Sequence, residues 1–171
     1  EDECTSPIDD DSDNDGLEDG DEVNNLTSDP KDTDTDDDGL SDSTEVNNCI
    51  YGEDNDECTS LIDGDSDEDG LNDGDEVGTY LTDPMDMDTD DDGLSDYLES
   101  IYYGTDPNDS DTDDDGINDY DEINNCIYGT NDDECTDPTL IDTDNDGIND
   151  DYEIDNCVYG TNDDECTNPT L

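Results

Sequence analysis

Apolar positions in this chain are sparse and solitary. The regular ones come singly: a Leu or Ile directly after a glycine, at Leu17, Leu40, Leu71, Leu94, Ile117 and Ile148. In five of these six places a Val or Ile follows six residues later, at Val23, Val46, Val77, Ile123 and Ile154. Between the two lies D-x-x-E, whose spacing is that of a capping box and whose ends share one helical face. The pattern predicts a short helix starting near that aspartate, capped by the pair. Asn, Gly or Cys soon follows, so the predicted helices run one or two turns and cannot nucleate alone. Pro30, Pro84 and Pro107 forbid a continuing helix and hold the residue before them extended, which makes tight, stiff connectors. No apolar run approaches the length that crosses a bilayer, and no signal-peptide pattern is present.

With 25% hydrophobic residues and neither Phe nor Trp, a large hydrophobic core is not expected. The predicted fold class is irregular, with little regular secondary structure: an elongated linear array of six loops, each followed by a very short helix. Sixty-three acidic residues against one base, Lys31, give a formal charge of -62. Such self-repulsion disfavours any compact state of the bare chain. Nucleic acid and anionic membrane are poor partners for a surface with a single cationic side chain. Cations are the natural ones. Composition alone would read as an acidic disordered tail; the order within the acid run argues otherwise.

That order is D-x-D-x-D-G-[LI]-x-D-x-x-E, repeated at 11–22, 34–45, 65–76, 88–99, 111–122 and 142–153 without a miss at any fixed position. Starts are separated by 23, 31, 23, 23 and 31 residues, so two spacer types alternate irregularly. The short spacers carry the prolines, with acids beside them at Asp29 and Asp32, Asp83 and Asp86, Asp106 and Asp109. These acids read either as parts of second cation sites or as solvated charge. The long spacers (46–64, 123–141, 154–171) each hold two cysteines nine apart: Cys49 and Cys58, Cys126 and Cys135, Cys157 and Cys166. A bridge within each would restrain the unfolded chain by about 2 to 3 kcal/mol. Residues 1–171 read as one continuous array, and Cys4, lying in the second half of a long spacer, suggests a window of a longer chain.

In a twelve-residue oxygen-ligand loop, side chains at positions 1, 3, 5, 9 and 12 and the carbonyl at 7 converge on one cation, while glycine at 6 permits the sharp turn. The first loop supplies Asp11, Asp13, Asp15, Leu17, Asp19 and Glu22, the second Asp34, Asp36, Asp38, Leu40, Asp42 and Glu45. The third supplies Asp65, Asp67, Asp69, Leu71, Asp73 and Glu76, the fourth Asp88, Asp90, Asp92, Leu94, Asp96 and Glu99. The last two supply Asp111, Asp113, Asp115, Ile117, Asp119 and Glu122, then Asp142, Asp144, Asp146, Ile148, Asp150 and Glu153. Acids spaced only for solubility have no reason to fix glycine at 6 and Leu or Ile at 7 every time. Hard oxygen donors in this number favour Ca²⁺ over Mg²⁺, and zinc or copper would want His or free thiolate. About six Ca²⁺ or more are expected. One per loop still leaves a charge of about -50.

Gly104 to Glu122, GTDPNDSDTDDDGINDYDE, resembles the thrombospondin type 3 repeat, especially its bacterial form. The resemblance covers all six loops and the short spacers. It implies aspartates of successive repeats wrapped around a string of Ca²⁺ with little core, in an extracellular chain. Vertebrate repeats place a cysteine inside the end of the loop, so different disulfide connectivity is implied here. EF-hand pairs and dockerin-like modules share loop positions 1, 3, 5 and 6, but usually put the apolar residue at 8, where two loops pair. Its place at 7 favours an unpaired string. Ser43 and Thr44 resemble a dockerin recognition pair in one loop of six.

These features lead to a calcium-rigidified extracellular or cell-surface rod, stalk or filament segment, with further copies of itself as partners in a fibre. Alternatives are an adhesion or dockerin-like binding module and an acidic calcium buffer. The tyrosines of the long spacers, Tyr51, Tyr128 and Tyr159, are expected to cover the cystines. Asn25 and Asn108 fit the glycosylation sequon. With no His or Arg, no nucleophile and base pair is evident, and no enzyme is expected.

Overall fold

The computed structural model describes residues 10–48, 58–125 and 135–156. The chain divides into two compact units, Glu1–Met87 and Asp88–Leu171, each carrying three of the acidic loops. The expected cysteine pairs and the tyrosines thought to cover them involve Cys4, Cys49, Tyr51, Cys126, Tyr128, Cys157, Tyr159 and Cys166, all outside the described residues.

Helical segments begin at loop position 9 throughout. In the first unit Asp19–Asp21 runs into a π turn, Glu22–Leu26; Asp42–Asn48 is α-helical; and Asp73–Asp75 runs into the π turn Glu76–Tyr80. In the second unit the π segments Leu98–Tyr103 and Asp121–Asn125 are each entered through two helical residues, and Asp150–Asn156 is α-helical. The π turns have a local cause. Thr27, Leu81 and Gly104, five residues past the glutamate, adopt left-handed backbone (φ 71, 62 and 80°). Their N–H groups reach back to the carbonyls of Glu22, Glu76 and Glu99 at 2.7, 2.6 and 2.8 Å, closing a turn one residue wider than an α-helix.

The predicted capping box is corrected by the structure. The residue that starts the helix is position 8, as at Glu18 and Asn72, both extended and without a side-chain cap. At the second loop Ser41 takes the N–H of Thr44 on its hydroxyl and the N–H of Glu45 on its carbonyl. Position 9 is unavailable as a cap because its carboxylate turns back into its own loop.

Burial is inverted relative to an ordinary domain. The buried apolar side chains among the described residues are Leu71 and Leu94, together with the connector prolines Pro30, Pro84 and Pro107. The fully buried ones are mostly acids: Glu22, Glu76, Glu99, Glu122, Asp42, Asp73, Asp96, Asp119 and Asp150. Among the described residues the single β pairing is an isolated bridge between Ser60 and Asp63, so the loops are not joined edge to edge.

The short spacers fold as Asp-Pro turns. The N–H groups of Asp32, Asp86 and Asp109 each bond the carbonyl of Asp29, Asp83 or Asp106 at 2.9 Å, with proline at the second position, where its fixed φ belongs. The aspartate before the proline stiffens the turn further, Asp83 and Asp106 accepting the N–H two residues on at 3.1 Å. In the long spacer the turn at Asp137 and Pro138 repeats this with Leu140 and Thr139.

Within each unit consecutive loops meet in one register. The position-5 carboxylate of the earlier loop accepts the position-10 N–H of the next: Ser43 to Asp15 at 3.1 Å, Tyr120 to Asp92 at 3.0 Å, Asp151 to Asp115 at 3.3 Å. Between the second and third loops Gly74 occupies position 10, so close to Asp38 that a Cβ would collide with the Asp38 carbonyl.

Candidate metal centres

Each loop is wound by its own aspartates. Position 4 is left-handed in every copy (Asn14, Asp37, Glu68, Asp91, Asp114 and Asn145, φ 59 to 65°), a region Asn and Asp tolerate best. Glycine at position 6 has φ between 98 and 112°, where an L side chain is strained. Between these turns the position-3 carboxylate accepts the position-5 N–H, and position 5 accepts the N–H of position 7 at 2.6 to 3.0 Å in all six loops. In the second, fourth, fifth and sixth loops the glycine N–H bonds the position-1 carboxylate at 2.8 to 3.1 Å.

This winding uses one edge of each carboxylate and leaves another facing inward. Asp11, Asp13 and Asp15 bring carboxylate oxygens within 4.8 Å of one another, as do Asp34, Asp36 and Asp38, Asp65, Asp67 and Asp69, and Asp88, Asp90 and Asp92. Buried oxygens that accept no hydrogen bond concentrate at the same places: Oδ1 of Asp11 and Asp65, Oδ2 of Asp13, Asp36, Asp38, Asp90 and Asp113, and Oε2 of Glu22, Glu76 and Glu99. Burial, reinforced by neighbouring carboxylates, lifts Glu45, Glu76 and Glu99 to about 8 and Glu22 to about 7. Glu122 is also lifted to about 8, mainly by burial. Asp38, Asp90 and Asp113 rise to about 6 for the same reason. A buried, unpaired carboxylate is costly, and several together more so, unless a cation joins them. Oxygen donors without His or Cys fit a hard divalent ion.

The sequence-predicted positions 1, 3, 5 and 12 thus come together. The side chain of Glu153 lies outside the described part of the structure. Position 9 lies beside positions 1 and 12 of its own loop, and its carboxylate also accepts the N–H and the hydroxyl of position 2 in every loop. The hydroxyl bonds, from Ser12, Thr35, Ser66, Thr89, Thr112 and Thr143, measure 2.6 to 2.8 Å. Four of these hydroxyls also accept a spacer N–H, from Asp29, Ser60, Asp106 and Asp137, at 2.8 to 3.0 Å. A second hydroxyl serves position 12. Ser28, Thr82 and Thr105 donate to Glu22, Glu76 and Glu99 at 3.2 to 3.3 Å, and Thr59 and Thr136 serve Glu45 and Glu122. All five stand six residues before the next loop, whatever the spacer length. Sequence reasoning missed both sets, although Ser or Thr fills each place without exception.

Repeated, glycine-turned acidic loops with inward carboxylates define a calcium-loop repeat protein. The chain belongs to the bacterial TSP3 repeat family: residues 11–33, 34–48, 65–86, 88–110 and 142–156 match it, more than half of the sequence. This is a structural calcium-binding repeat, not an enzyme family. The loop at 111–122 lies outside those matches yet makes the same bonds. No curated protein matches the chain. Two solved structures are similar over a small part: a "Biofilm associated protein - B domain", 42% identical over 26% of this chain and 11% of that one (TM-score 0.26), and a "Biofilm associated protein - BSP domain", 44% identical over 25% and 7% (TM-score 0.25). The chain therefore spans only about a tenth or less of the length of those chains. Among the described residues no helix is long and apolar enough to cross a membrane.

Proposed function

We propose that this chain is a calcium-rigidified extracellular rod, stalk or filament segment. Each loop holds Ca²⁺ through its carboxylates at positions 1, 3, 5 and 12 and the carbonyl at 7, with at least six ions in all, and the long spacers are closed by disulfides. The observation that carries this reading is the loop-to-loop register, in which position 5 meets position 10 across both spacer lengths. A buffer needs capacity only; a load-bearing array needs each unit to seat the next in a fixed way. Docking through the Ser43–Thr44 pair has less support, since Ser43 gives its N–H to Asp15.

Small-angle scattering with and without calcium, alongside native mass spectrometry, tests the proposal. Six or more ions and an extended, rigid particle are expected, relaxing on chelation to a coil with a radius of gyration of about 44 Å or more. Dimensions indifferent to calcium would refute it.

A further inference from the structure

Five of the six position-9 aspartates, Asp42, Asp73, Asp96, Asp119 and Asp150, are completely buried. Asp73 of the third loop is completely buried, and Ser66 grips both its oxygens, through N–H at 2.8 Å and hydroxyl at 2.6 Å. That grip fixes the direction of the carboxylate while each oxygen keeps a second lone pair. The direction is toward the second loop. Carboxylate oxygens of Asp73, Asp38 and Glu45 lie within 4.8 Å of one another, and all three residues are buried. Asp38 is 8% exposed and its Oδ2 accepts no hydrogen bond. Gly64 and Gly74 make the approach feasible, since a Cβ on either would strike Asp38.

We propose that Asp73 of the third loop is a further ligand of the second loop's cation, adding its carboxylate to those of Asp38 and Glu45. This rests on the calcium reading given above. The same relation recurs elsewhere within each unit: Asp42 acts electrostatically on Glu22, Asp119 on Asp90, and Asp150 on Asp115. Within each unit an earlier loop then borrows the position-9 carboxylate of the next, and its ion is tightened by the folding of that next loop. Occupancy acquires a direction along the chain.

Hydrogen exchange of the full chain during a calcium titration separates the possibilities, comparing peptides from 34–45 and 65–76. In Asp73→Asn the calcium midpoint for protecting 34–45 should rise about tenfold or more, exceeding the change at 65–76. Ser66→Ala, which only loosens the carboxylate, should move the same peptide in the same direction by less. If Asp73→Asn gains no protection at any calcium level, the Ser66→Ala comparison decides. A shift larger at 65–76, or equal at both, overturns the proposal. Failure of calcium to protect either peptide in the unaltered chain would instead overturn the calcium reading itself.

Discussion

Within the second unit two junctions solve one problem with different lengths of chain. The fourth and fifth loops are separated by a short spacer, and Tyr120 gives its N–H to Asp92, 28 residues away. The fifth and sixth are separated by a long one, and Asp151 gives its N–H to Asp115, 36 residues away. Eight additional residues change neither the acceptor position nor the donor position. The hydroxyl that serves the glutamate is likewise six residues before the next loop in both, Thr105 for Glu99 and Thr136 for Glu122. Seating is therefore a property of loop surfaces and of the final stretch of each spacer, and spacer length is free to vary upstream of it. Loop closure in a longer connection costs only slightly more entropy, which these contacts absorb.

The harshest way to break the comparison is to remove calcium and vary pH. Glu99 and Glu122 are raised from 4.5 to about 8, mainly by burial, so the ion-free fold holds protons that the unfolded chain has already lost. Its stability is accordingly greatest at or below about pH 4.5 and falls as pH climbs through 8. In chelator, exchange protection at both junctions should be stronger at pH 5 than at pH 8. With calcium present at pH 7, binding should release protons, visible as a buffer-dependent heat in titration calorimetry. Equal protection at the two pH values would contradict the assigned burial.

Smaller effects come from the loop glycines. Gly93→Ala and Gly116→Ala each force an L residue to φ near +109 or +106°, a strain of about 1 to 3 kcal/mol. Each should raise the calcium midpoint of its own loop about tenfold, more at Gly93, where the new methyl meets the Tyr120 ring at 3.1 Å rather than the Asp151 carboxylate at 3.4 Å. Calcium-dependent exchange measured loop by loop checks the order. The mildest test is the sharpest for the comparison. Thr105→Val and Thr136→Val should each weaken the adjoining loop by about 1 kcal/mol, equally, while Thr→Ser at either place is nearly silent. Unequal losses would mean that the long spacer seats its loop differently.

Much of this molecule is written locally, which is why the loops were legible. Glycine at position 6 and acids at 1, 3 and 5 prescribe turns that close within twelve residues. The turn at the glycine was expected, and the bonds from the aspartates to the loop's own N–H groups emerge only from the fold. The start of each helix at position 9 was also legible, but its cause was not. The D-x-x-E spacing suggested a cap, and only the folded loop shows Asp42 drawn back to Thr35 and Glu45 drawn inward. The hydroxyls at position 2 and before each loop were present in the sequence as plainly as the acids. They went unread because their function depends on where a carboxylate seven residues away turns, or on a glutamate across a spacer. The π turns after Glu22 and Glu76 were likewise hidden, since neither Thr27 nor Leu81 is a residue that favours left-handed backbone.

A scaffold whose interior is carboxylate, with Leu71, Leu94 and three prolines as its buried hydrocarbon among the described residues, has unusual thermal behaviour in store. The heat capacity gained on unfolding comes from wetting apolar surface and is offset by wetting polar surface. Here the first contribution is small, so the stability curve should be shallow, with little loss on cooling and no sharp optimum. Saturated with its ion, such a chain should keep nearly the same stability in cold water and warm.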